Sequence, residues 1–226
     1  MAAALNRQLY EATVFDSGAL GLSTSVVHHV TTAAIYWASV SRDGKHTGDV
    51  AIVVSDDAAA VQLAIDLAKV QASPGDPHGA SRQTVSTKGY VVFHATSGTG
   101  WSVQLRLGRR VIFDSTHLKK GDIFALTLIE PAHYKIENKL GSAKGSAEVR
   151  FTRADVKRLS ELKPVTVEVS KSFDPQHFKL ISTQGLIYRI ETDARIVITR
   201  REKRVAKSHL PEADPEMALA AIRRFR

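Results

Sequence analysis

Nine histidines and no cysteine bound the chemistry open to this chain. Without a thiolate there is no disulfide, no cysteine nucleophile, no iron–sulfur cluster, no cysteine-based zinc site and no blue-copper sulfur ligand. Imidazoles and carboxylates remain. His94, His117 and His133 fall within one run of short predicted strands. Three imidazoles gathered there by folding would suit zinc or type-2 copper. No His-x-His or His-Glu-x-x-His spacing joins them, so separate surface or hydrogen-bonded histidines are the simpler reading. His28 and His29 are neighbours, which on a strand sends their rings to opposite faces. Asp56, Asp57, Asp114 and Asp122 offer carboxylates, but helix capping and turn formation account for them more economically. The serines of TSGTG (96–100) and GSAKGS (141–146) lack the strand–nucleophile–helix setting of a hydrolase. No phosphate-binding or dinucleotide fingerprint is present. The chain reads as non-enzymatic, with copper or zinc as the cofactors its histidines would permit.

Charge offers a second kind of chemistry. The formal net charge is +8, and from Arg150 onward there are 17 Lys and Arg against 10 Asp and Glu. Arg195, Arg200, Arg201, Lys203, Arg204 and Lys207 crowd this region and form a candidate polyanion-binding stretch, with nucleic acid as the partner. A solvated strand end is the alternative. Tyr36, Trp37, Tyr90, Phe93 and Trp101 could stack on a sugar or base, although aromatics at alternating strand positions more often fill a core. In GYVVFHA (89–95), Val91 and Phe93 face one way and Tyr90 and Val92 the other. That pattern predicts a strand buried on both faces, at a central sheet position or a protein interface.

These residues must be held by a mainly β framework with some helix. Residues 1–75 read as an α/β segment. Val26–Val40 is rich in β-branched and aromatic residues, Asp43-Gly44 signals a hairpin, and Asp49–Ser55 is an apolar strand. From Asp56 the period changes to that of a helix, with Val61, Ile65 and Ala68 on one face. The Pro- and Gly-rich stretch 72–86 reads as a linker. Residues 88–151 carry the spacing of an antiparallel β-sandwich, with strands at 89–95, 101–107, 111–113, 122–129, 134–138 and 146–151. Residues 152–226 read as a basic, β-rich segment, opened by a short helix at 152–162 and closed by a C-terminal helix at 213–226. No tandem repeat stands out. No apolar run reaches the roughly 18 residues of a membrane span, and no signal peptide opens the chain, so a cytoplasmic location is expected.

Residues Val111–Phe151 resemble the C-terminal half of a cupredoxin domain. The likeness rests on Phe113-Asp114-Ser115, on Gly121-Asp122 before an apolar strand, on Tyr134-x-Ile136-x-Asn138, and on the Gly-rich loop that follows. A weaker echo spans 165–190, where Phe173-Asp174-Pro175 precedes two strands. Either there are two degenerate sandwiches, or this turn recurs for packing reasons. The resemblance places the family's copper cysteine at Asn138, and its later His and Met in KLGSAKGS, which has neither. It implies a copper-free relative that uses the fold as a scaffold. The expected role is protein–protein contact as a subunit of an oligomeric assembly, by self-association or with another protein.

Overall fold

A computed structural model describes residues 8–70, 81–151 and 161–201. The expected helices at 152–162 and 213–226 fall wholly or almost wholly outside these residues, as do Lys203, Arg204 and Lys207. The described chain is mainly β, in three sheets. One five-stranded sheet runs β6 (Ser81–Ser86), β4 (Lys45–Ser55), β3 (Ala34–Arg42), β8 (Trp101–Leu107), β9 (Arg110–Asp114). A second runs β1 (Val14–Asp16), β17 (Ile196–Arg200), β11 (His133–Asn138), β12 (Lys144–Arg150), β15 (His177–Ile181). A seven-stranded sheet joins them, in the order β14 (Phe173–Asp174), β13 (Val165–Val169), β16 (Gly185–Ile190), β10 (Ile123–Thr127), β2 (Thr24–His29), β7 (Tyr90–His94), β5 (Gln62–Asp66). Phe93 of β7 stacks on Phe113 of β9 with ring centroids 5.7 Å apart, tying the first sheet to the seven-stranded one. Among the described residues, no helix is long and apolar enough to cross a membrane.

Local chemistry explains several elements. Asp43 (φ 50) and Gly44 (φ 76) make the β3–β4 hairpin turn, because both central residues of that turn need positive φ. β8 alternates as its sequence does, with Trp101, Val103 and Leu105 buried. Three expectations are overturned. The helix from Asp56 is instead strand β5 and a 3-10 turn at Leu67–Lys69. Helix propensity is a weak preference, and parallel pairing of β5 with β7 satisfies the backbone and buries Ile65. The linker at 72–86 ends in strand β6, parallel to β4; its polar sequence suits a sheet edge. The doubly buried strand is also corrected. Val91 and Phe93 are fully buried, but Tyr90 faces outward and stacks on His29.

The sheets reveal a duplication. β2–β8 and β10–β17 repeat the same pairings: β3–β4 and β11–β12 antiparallel, β4–β6 and β12–β15 parallel, β5–β7 and β13–β16 parallel. β2 and β10 meet antiparallel at the middle of the seven-stranded sheet. Matching side chains do matching work. Ser17 Oγ accepts from the Ile196 amide and Ser115 Oγ from the Val103 amide. Thr24 accepts from the amide of Gly21, and Asp122 from that of Lys119. Tyr36 OH donates to the Thr32 carbonyl and Tyr134 OH to that of Glu130. Phe15-Asp16-Ser17…Leu20 therefore recurs as Phe113-Asp114-Ser115…Leu118. The opening strands are exchanged: β1, which starts the first repeat, pairs with β17, and β9, which starts the second, pairs with β8.

Candidate interaction face

Period-two alternation sends Tyr36, Ala38 and Val40 of β3 into the core and Ile35 and Trp37 out of it. Cross-strand partners share a face, so the outer surface can be read row by row. One row runs Arg82, Ala51, Trp37, Arg106, Val111. The next holds Thr84, Val53 and Ile35. On the other side lie Asp49, Ser39, Gln104 and Asp114. Ile35 is 46% exposed, Val111 39% and Trp37 38%. Arg82 and Arg106 are exposed, and among the described residues neither forms an ion pair. Arg106 donates only to its neighbour Gln104, at 3.0 Å.

The second repeat solves the same face differently. Lys135 stands where Trp37 does, His133 replaces Ile35, and Glu148 replaces Val53. Several of its charges are paired. Glu137 binds Lys135 and Lys139 at 2.7 Å each, and Glu148 holds Arg150 at 2.7 Å. Hydrogen bonds from Lys135 and Lys139 depress the Glu137 carboxyl to about 2. That outer face is charged and wettable; its counterpart is apolar around Trp37, with Arg82, Arg106, Asp49 and Asp114 at its margins.

The sequence-derived sites fall elsewhere. His94 lies on β7, beside Asp66 of β5. His117 sits in the loop after β9 and contacts Asp193 at 2.8 Å. His133 opens β11. The three are not brought together, and among the described residues no group of three or more His, Asp or Glu is placed to hold a metal. Asn138 does not fit a copper centre. Its side-chain oxygen accepts from the amides of Leu140 and Arg195, and its Nδ2 donates to the Asp193 carbonyl. Of the polyanion candidates, Arg195 is clamped bidentately on Asp16 and Arg200 donates to the Tyr10 carbonyl. Arg201 is exposed at the end of the described chain.

A cleft of about 490 Å³ is lined by Asp49, Asp66, Lys69, Gln83 and His94. It has the residue types of an acid–base site, yet Asp66 already accepts from the Thr96 amide and hydroxyl and from the Ala68 amide. Those bonds fix a turn. The carboxylates at 114 and 122 likewise cap local amides, at Thr116 and Lys119. No family model, curated protein or solved structure matches the chain.

Proposed function

We propose that this chain is a non-enzymatic β scaffold that works through protein contacts as a subunit of an assembly, using the outer face of the β6-β4-β3-β8-β9 sheet. The observation that carries this reading is the contrast between the two repeats. Equivalent backbone positions carry Ile35, Trp37 and Val53 on one face and His133, Lys135 and Glu148 on the other. Folding alone is served by the charged version, so the apolar version answers to something else. Trp and Arg together at an apolar centre match the composition of energetic interface cores. The second repeat, which holds residues 111–151 and the echo at 165–190, is read as a cupredoxin-like fold that works without copper, a reading supported by the structural use made of Asn138.

The test is native mass. In an extract of its own cells, the full chain should elute well above its 24.7 kDa. A Trp37→Glu variant with an unchanged melting temperature should elute as a monomer. Elution of the wild-type chain at monomer mass in that extract would refute the reading.

A further inference from the structure

We infer that this face pairs with its own copy, in a face-to-face dimer whose twofold axis runs along β3. The inference rests on the contact reading above and adds the partner and its geometry. Its basis is where the charges stand across the sheet. In the Trp37 row, Arg82 lies two strands to one side of β3 and Arg106 one strand to the other. In the neighbouring row, Asp49 lies one strand away on the Arg82 side, and Asp114 two strands away on the Arg106 side. Each arginine therefore has a carboxylate at the mirrored distance across β3, one row along. Within one copy, neither arginine makes an ion pair among the described residues. The carboxylates have room for one: Asp49 is held by His46 through Oδ1 alone, and Asp114 Oδ2 accepts only from Gln104.

Rotating a copy by half a turn about β3 and laying it on the first keeps every row and exchanges the two sides. Arg106 then falls on the copy's Ala51, one row from its Asp49. Arg82 falls on the copy's Val111, one row from its Asp114. Rows on one face lie about 6.5 Å apart along the strand, within reach of an extended arginine. Symmetry repeats both contacts on the other side of the axis. On the axis itself, the exposed Trp37 and Ile35 each meet their own copy, which suits apolar side chains and would repel charges. The second repeat could not pair in this way, because Lys135 holds the Trp37 position and would meet itself. A half-turn about a line across the strands is also excluded, since it sets Arg82 on Arg82 and Arg106 on Arg106. An axis along β3 keeps the two sets of strands aligned, as sheets stacked face to face prefer. A different partner would place no such condition on the arrangement of charges about β3.

The experiment follows the purified full-length protein by sedimentation equilibrium across a concentration series. The wild-type chain should form dimers. Trp37→Glu should weaken them by about tenfold or more, the loss expected of a hot-spot aromatic. Arg106→Asp and Asp49→Arg should each weaken them by about tenfold or more, because each puts two like-charged pairs into the interface. The double variant Arg106→Asp/Asp49→Arg should dimerise about as tightly as wild type, yet fail to pair with wild-type chains. Melting temperatures near wild type show that the variants fold. A purified wild-type chain that stays monomeric, while Trp37 still holds it in a larger complex in its own extract, would overturn the second copy and spare the contact face. A Trp37-dependent dimer whose double variant is no tighter than the two single ones would overturn the pairing about β3, again sparing the face. No Trp37-dependent association, purified or in extract, would remove both the dimer and the face.

Discussion

Replacing Tyr188 with Phe should stabilise this protein. Tyr188 lies fully buried on β16, stacked on Phe124 and edge-on to Phe173, with centroids 6.0 Å away in each case. Its hydroxyl is the one buried side-chain polar atom without a hydrogen-bond partner among the described residues. Burial also pushes its ionisation far above the ordinary phenol range, so the group stays neutral through any accessible pH. An unpaired buried hydroxyl costs about 1–3 kcal/mol. Removing the oxygen leaves a gap smaller than a methyl group, with a modest loss of dispersion contacts. The duplication supplies a control. Val26 pairs with Phe93 as Phe124 pairs with Tyr188, so Phe already occupies the equivalent site in the first repeat. A net gain of about 1 kcal/mol follows, or about 2–4 °C in melting temperature for a chain of this size. Urea unfolding read by tyrosine and tryptophan fluorescence measures it. The reverse change, Phe93→Tyr, should lose a similar amount. If Tyr188→Phe lowered stability by 1 kcal/mol or more, the hydroxyl would have to be satisfied, and the argument from an orphaned oxygen would fail.

Other outcomes follow from the same geometry. Asp122 accepts from the Lys119 amide and from His28 Nδ1 at 2.7 Å, joining the two repeats where β2 meets β10. Asp122→Ala should cost about 2–3 kcal/mol by urea unfolding, more than Thr24→Ala, whose hydroxyl caps the equivalent turn without reaching across. Burial alone would raise the Asp66 carboxyl, but bonds from Thr96 and Ala68 hold it below its ordinary value. A depressed folded-state pKa stabilises fully above the unfolded value near 3.8 and fades as pH falls through the lower folded value. Asp66→Asn should therefore lose about 1 kcal/mol at neutral pH and flatten the acid limb of the stability–pH curve, while leaving its neutral limb parallel to wild type.

Much of the framework was legible because local rules and tertiary packing agree. Trp101–Leu107 alternates cleanly and folds as written, and Asp43-Gly44 turns the chain where its backbone angles require. Where they disagree, packing wins. The alanine-rich run before Gln62 favours a helix, but β7 offers a parallel edge that Leu63 and Ile65 fill. The duplication was harder to see because few identities survive, among them Phe-Asp-Ser with the following Leu, and the Ala-x-Tyr at the start of β3 and β11. The rest is conserved as pairing geometry. The contact face escaped for a related reason. AIYWASV is apolar at both alternations, and sequence alone does not say which set points inward. Set beside AHYKIEN, its counterpart, the answer is readable: Tyr36 aligns with the buried Tyr134, leaving Trp37 opposite Lys135 on the outside.

The exchange of β1 and β9 has a mechanical result. Severing the backbone between Leu107 and Arg110 would yield two pieces, each holding the edge that its neighbour needs and missing its own. Neither should fold well alone, yet mixed in equal amounts they should knit into a native-like whole. A clip just after β1, between Ser17 and Leu20, would loosen the far repeat before the near one, since that is where the amino-terminal strand is anchored.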